Sequence, residues 1–266
     1  MFEVDLVIYF IILGVTVGFF AGLLGVGGGG IMVPVLSFIF TYNEVTTSNV
    51  MHLALGTSMA AIIATSFSSL MAHHRAKNVD WKLVKIMTIW VLLGTYLSTF
   101  IAVELSSVYL AVFFSLFMLS VGVKMFIGKS DASLKNKINK VHLRVTSTFI
   151  GGISALVSIG GGSLTVPYLS SKGVDIRKAI GTSAAIGFPI SLGGTLGYAV
   201  HGLSMPSQNG IFTNIHLPAV IIISILSYST APLGARCAKA IPVNIMKKVF
   251  SCMLILLSLN MLFTML

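Results

Sequence analysis

Apolar runs close to the length that crosses a bilayer recur along the chain, among them residues 4–24, 83–103, 108–127 and 243–265. About 20 helical residues span a hydrocarbon core of about 30 Å, so a chain built of such runs folds as transmembrane helices. Hydrophobic residues make up 56% of the chain and charged residues only 9%, too few to cover the surface of a soluble domain this size. The apolar content runs from end to end, so residues 1–266 read as one membrane domain. The expected class is an all-α polytopic integral membrane protein. The first run opens on Glu3 and Asp5, with no basic segment before it and no small-residue cleavage pattern after it. It reads as a retained helix and not as a signal peptide.

The chain also repeats itself. Gly22-Leu-Leu-Gly-Val-Gly-Gly-Gly-Gly-Ile-Met-Val-Pro-Val-Leu36 returns 133 residues later as Ala155-Leu-Val-Ser-Ile-Gly-Gly-Gly-Ser-Leu-Thr-Val-Pro-Tyr-Leu169. Upstream, Gly14, Gly18 and Gly22 align with Ser147, Gly151 and Ala155. A second block, Gly56-Thr57-Ser58, returns as Gly181-Thr182-Ser183, and the apolar stretches 105–126 and 241–262 match in length and position. The expectation is repeat one over 1–130 and repeat two over 140–266, joined by a polar linker over 128–144. Each repeat would hold a glycine-rich re-entrant or broken-helix hairpin followed by three transmembrane helices.

All 17 Lys and Arg residues fall in four clusters between apolar runs: Arg75–Lys85, Lys124–Arg144, Lys172–Lys178 and Arg236–Lys248. The connections around 41–51, 104–107 and 201–214 have none. Placing every cluster in the cytoplasm gives one path, with the N- and C-termini outside and the linker inside. The first repeat then begins outside and the second inside. Such inverted repeats are the architecture of many secondary transporters, which bind substrate near midplane where the repeats meet. The net charge of +10 is accounted for by these loops, so nucleic acid is not an expected partner.

In each hairpin the arm after the glycines is short, 31–40 and 163–171. About ten residues reach only about 15 Å, so each arm rises from a bend deep in the membrane. Irregular backbone at that depth must be buried in protein or line a cavity. The half-helix after the bend points unpaired N–H groups and its positive dipole end at it, which suits an anion. The candidate substrate-binding residues are therefore Gly27, Gly28, Gly29 and Gly30 with Gly160, Gly161, Gly162 and Ser163. Gly14, Gly18 and Gly22 form a small-xxx-small pattern that serves close helix packing.

The Gly-Thr-Ser blocks begin or interrupt the next helix of each repeat. Thr57, Ser58, Thr182 and Ser183 either donate to an anion oxygen or bond back to a backbone carbonyl. Phe188-Pro189 and Gly193-Gly194 predict a bend in the later of these helices. Arg236 is the candidate cationic contact, its alternative being a positive-inside residue at a helix end.

Other chemistries lack their residues. The seven Asp and Glu side chains lie at termini, loops or helix ends, which leaves no carboxylate relay or acidic selectivity ring. His73-His74 reads as a solvated cytoplasmic pair. Cys237 and Cys252 offer no disulfide framework and no metal spacing. Residues 25–30 match G-x-G-x-x-G without the strand–turn–helix context or the later acidic residue of a dinucleotide site. No H-E-x-x-H, G-x-S-x-G or P-loop pattern points to an enzyme, and no cofactor is called for. An anion channel of the same fold remains the alternative to a carrier, because glycine loops and hydroxyls serve either. The expected partners are a small anion and the lipid bilayer, with a homodimer left open.

The paired hairpins ending in Val33-Pro34 and Val166-Pro167, the Gly-Thr-Ser blocks and Pro232-Leu233-Gly234-Ala235-Arg236 together resemble the TauE/SafE family of sulfite exporters. It is also called the toluene sulfonate uptake permease family. The resemblance covers essentially the whole chain. It implies a transporter of the bacterial cytoplasmic membrane for sulfite, sulfonates or related sulfur-containing anions. Against the family pattern, the stretch from Gly94 lacks an arginine corresponding to Arg236, so it implies no symmetric pair of cationic contacts.

Overall fold

The computed structural model describes residues 4–24, 27–45, 49–127, 139–202, 211–212 and 214–265. Among them are ten helices: α1 Val4–Leu24, α2 Gly29–Tyr42, α3 Val50–Arg75, α4 Trp81–Glu104, α5 Ser107–Ile127, α6 Lys140–Leu156, α7 Gly162–Ser171, α8 Ile176–His201, α9 Leu217–Ala240 and α10 Val243–Met265. One two-residue antiparallel ladder, β1 Ile211–Phe212 with β2 Ile215–His216, leads into α9. Among the described residues six helices are long and apolar enough to cross a membrane: α1, α3, α4, α5, α8 and most of α9. The fold class is all-α and multi-pass, as the apolar runs predict. Most of the expected linker, residues 128–138, lies outside the described residues, as do Gly25, Val26 and much of the connection after α8.

Local signals explain where the helices start. Asp80 accepts from the N–H groups of Lys82 and Leu83, and Asp175 from those of Arg177 and Lys178. Asn139 caps α6 by accepting from the Val141 N–H. Each cap satisfies donors that the first helical turn leaves without intrahelical partners. The two short arms behave as their length requires. α7 has 10 residues, while α2 has 14 because it starts at Gly29 and runs on to Tyr42, longer than the arm expected over 31–40. At 1.5 Å per residue that is about 21 Å for α2 and about 15 Å for α7, both short of a full crossing.

The helices interleave. α1 packs on α9 and α6 on α4; α3 packs on α9 and α8 on α4; α2 packs on α3 and α7 on α8. α3 packs on α8, and α5 on α10. Of the apolar windows in α3 and α8, 78% and 72% is buried, against 28% in α9, so α3 and α8 form the centre. Exposed apolar side chains such as Ile89, Leu97, Leu116, Ile225 and Leu256 lie on α4, α5, α9 and α10, as a lipid-facing surface requires.

Small residues set the α1–α9 contact. A Cβ on Gly14 would stand 3.1 Å from Ile223 Cα, and those on Gly18 and Gly22 would run into Ser227, Thr230 and the Ala231 carbonyl. One glycine per turn lets the backbones touch, which replaces the hydrophobic drive that helices lack within lipid. α8 stays helical through Pro189, and Ser191 Oγ donates to the Phe188 carbonyl at 2.8 Å.

Gly22→Val should lower the thermal stability of the detergent-purified protein by about 1–3 kcal/mol through overpacking. Ile12→Ala on the exposed side of the same helix should change it by less than about 0.5 kcal/mol. Thermal unfolding of the two variants checks both.

Candidate functional site

The two glycine bends meet in the protein. A Cβ on Gly27 would stand 2.7 Å from Gly160 Cα, and one on Gly160 would stand 2.9 Å from Gly27 Cα. Only residues without side chains permit that approach. The next residue in each bend, Gly28 at φ 80° and Gly161 at φ 74°, is left-handed and caps the half-helix that follows. The Gly28 carbonyl accepts from the Ile31 and Met32 N–H groups at 3.1 and 3.0 Å. The Gly161 carbonyl accepts from those of Leu164 and Thr165 at 3.2 and 2.7 Å. The N–H groups of Gly29 and Gly30, and of Gly162 and Ser163, therefore sit in first turns with no helical acceptor of their own.

α3 and α8 wall this crossing. Ile62 of α3 reaches both bends, its methyls 3.1 Å from a Cβ on Gly29 and 3.4 Å from one on Gly160. Gly187 of α8 lies against the Gly160 carbonyl, and Ile186 and Ile190 lie against Gly161. Ser158, just before the second bend, donates from Oγ to the Leu55 carbonyl at 3.1 Å and has φ 45°. Ser66 and Ser191, 125 residues apart, bring their hydroxyls to 3.5 Å across the α3–α8 contact. The sequence reading passed over this pair, although the spacing of the Gly-Thr-Ser blocks carries one serine onto the other.

The Gly-Thr-Ser blocks neither begin nor interrupt their helices; they lie inside α3 and α8, which run on unbroken. Gly56 takes the Asn214 carbonyl against its Cα, and Gly181 takes that of Asn78. Thr57 Oγ1 then accepts from the His216 N–H at 2.9 Å, and Thr182 Oγ1 from the Asp80 N–H at 3.0 Å. His216 and Asp80 are the caps of α9 and α4. Both threonines are thus tied to the start of a neighbouring helix, a bond that neither sequence alternative foresaw. Ser183 donates back to the Ile180 carbonyl at 2.8 Å. Ser58 differs: it is buried with no partner for its Oγ.

Arg236 is exposed near the end of α9 and is not buried with the bends. Gly234 lies against the Phe19 carbonyl, while Gly94 lies against that of Thr148. Phe19 aligns by the hairpin spacing with Gly152, which meets Ser98, so contact matches Gly234 to Ser98, one helical turn from Gly94. In that register too Arg236 has no early cationic counterpart. His73-His74 is not a solvated pair. His73 is buried, and His74 Nδ1 accepts from Trp81 Nε1 at 3.2 Å, because adjacent helical residues point to different faces. No group of three or more potential metal ligands occurs among the described residues.

The family profile described as "Sulfite exporter TauE/SafE" matches residues 10–261, which takes in both bends, α2 to α9 and most of α1 and α10. The chain belongs to the TauE/SafE family. A protein of Haemophilus influenzae named "Probable membrane transporter protein" is 32% identical to this TauE/SafE chain, over 94% of the chain and 96% of its own length. One of Methanocaldococcus jannaschii with a similar name is 27% identical, over 95% and 94%. A third, of Bacillus subtilis, is 29% identical over 72% and 78%. No solved structure matches significantly. The family and these names make this TauE/SafE member a multi-pass membrane transporter.

His216 gives a pH dependence. Its ring packs between Phe10 and Phe40, with centroids 5.7 and 5.4 Å away, and its Nδ1 accepts from the Ala219 N–H. Burial pushes the imidazole down to about 4. Between the ordinary value of about 6.5 and about 4 the unfolded chain binds a proton that the folded protein does not. This part of the stability is complete above pH ~6.5 and is lost as pH falls toward ~4. His216→Asn, which keeps a capping acceptor, should flatten the dependence in that window. Thr57→Val should cost about 1–3 kcal/mol by leaving the buried His216 N–H unpaired, and Thr57→Ser should recover most of it. Thermal unfolding across pH reads both effects.

Proposed function

We propose that this protein is a secondary carrier of a small anion, sulfite or a related organosulfonate, working as an exporter by alternating access between two inverted repeats. The observation that carries the reading is the meeting of the bends, Gly27 on Gly160, each followed by a left-handed glycine and a half-helix. Broken helices that meet inside a membrane bundle present N–H groups and positive dipole ends to one buried place. Anions bind at such termini without a lysine or arginine. The sulfur chemistry rests on the name of the family.

The repeats proposed are 1–130 and 140–266, with a cytoplasmic linker over 128–144. Three observations support them. The helix pairing recurs with early and late helices exchanged, α1 on α9 against α6 on α4. The caps His216 and Asp80, 136 residues apart, receive the same contact from Thr57 and Thr182. Positive charge gathers at the α3–α4, α5–α6, α7–α8 and α9–α10 junctions and avoids the other connections. These points favour a protein of the bacterial cytoplasmic membrane with both termini outside. The bond from the α8–α9 connection to the start of α3 and the bond from the α3–α4 connection to the start of α8 then lie on opposite sides, as that path requires.

Protein reconstituted into liposomes should carry labelled sulfite or an alkylsulfonate with saturable flux and counterflow. Movement of cations or neutral solutes alone would overturn the anion reading, and flux without saturation or counterflow would make the protein a channel. Gly161→Trp should abolish flux with membrane insertion intact, since a side chain there meets Ile190 at 2.6 Å and is strained at φ 74°. Unchanged flux in that variant would remove the bends from the transport path.

A further inference from the structure

We propose that the two bends are unequal: the substrate's oxyanion group is held at the N-terminus of α7, and the bend before α2 is an apolar wall against the rest of the ligand. The inference rests on the anion-carrier reading above. Backbone alone does not separate the two places, since each has a left-handed glycine cap and two N–H groups without helical acceptors. The side chains do. Two and four residues after the cap, α7 carries Ser163 and Thr165, whereas α2 carries Gly30 and Met32.

Ser163 is 8% exposed and Thr165 0%, and neither hydroxyl has a hydrogen-bond partner. Thr165 Oγ1 stands 3.4 Å from the position of a Cβ on Gly161, so it is turned toward the cap. Ser58 adds a third such hydroxyl, 0% exposed and unpartnered. On α3 it shares a face with Leu55, whose carbonyl holds Ser158, and with Ile62, which touches both bends, so it borders the crossing between them. Buried hydroxyls are nearly always paired, so two left open at the start of α7, with a third beside the crossing, mark a place that a ligand's acceptor atoms complete.

The first turn of α2 has apolar contacts, as Gly161 has with Ile186 and Ile190, but carries no hydroxyl at the two matching positions. Gly30 faces the Met118 methyl and Leu254, Gly28 faces Val17, and Met32 is fully buried. A charged or polar group against these side chains would lose its hydration without replacement. The ligand class that fits both bends has one oxyanion head, with oxygens for the Gly162 and Ser163 N–H groups and the three hydroxyls, and one end that makes no hydrogen bonds. A molecule with anionic groups at both ends does not fit.

The test uses reconstituted full-length protein carrying labelled sulfite, with methanesulfonate and ethane-1,2-disulfonate as competitors. Methanesulfonate should compete, and the disulfonate should be weaker by about tenfold or more, the factor for about 1.4 kcal/mol. Ser163→Ala with Thr165→Val should raise the methanesulfonate inhibition constant by about tenfold or more. Leu256→Ala, on the exposed face of α10, should leave it near wild type. Thermal stabilisation of the detergent-purified variants by methanesulfonate reads binding separately from flux and from folding. Equal competition by the disulfonate, or an unchanged constant in the α7 double variant, would overturn the inference while the carrier reading stands. Wild-type protein that carries no anion would instead sink the carrier reading itself.

Discussion

Everything central in this molecule depends on one backbone crossing. Gly27 and Gly160 touch through their Cα atoms, and a methyl group on either would push the bends apart. Irregular backbone inside a membrane protein is tolerated only where protein covers it. α3 and α8 supply the cover, which explains why they are the most buried of the six long apolar helices, and why Ile62 and Gly187 stand where they do. The outer helices in turn hold α3 and α8 in place. Thr57 and Thr182 tie the central pair to the caps of α9 and α4, so the crossing and the rim of the bundle are mechanically joined.

The apolar runs and the glycine duplication made most of the architecture legible in advance. α1 begins and ends where the first run does, and both short arms stop well before a full crossing. Within the glycine runs Gly27, Gly28 and Gly161 are left-handed and make the bends, while Gly29, Gly30 and Gly162 already open the half-helices. What the sequence could not carry was direction. Thr57 and Thr182 were candidates for an anion, but their oxygens face backbone N–H groups on helices more than 100 residues away. Local pattern contains no term for such a partner. Ser66 and Ser191 differ, since the offset of the Gly-Thr-Ser blocks aligns them, but only the α3–α8 contact brings their hydroxyls together.

The comparison of the two bends also limits what duplication means. Repeated glycines preserve a backbone path, since that residue takes the left-handed caps at Gly28 and Gly161 without strain. Side chains two and four positions on are free to diverge, and they do, into hydroxyls on α7 and into Gly30 and Met32 on α2. Similar scaffolding and unlike chemistry therefore coexist in one pair of hairpins.

The pairing of α1 with α9 has a consequence for how the chain is made. The glycine face of α1, Gly14, Gly18 and Gly22, has its packing partner in a helix that begins only at Leu217. α1 thus waits through the synthesis of α2 to α8 with its close-packing groove open. Contacts so distant in sequence form late and slowly. Until α9 arrives that groove lacks its packing partner, and a chain truncated before Leu217 would be left with it bare.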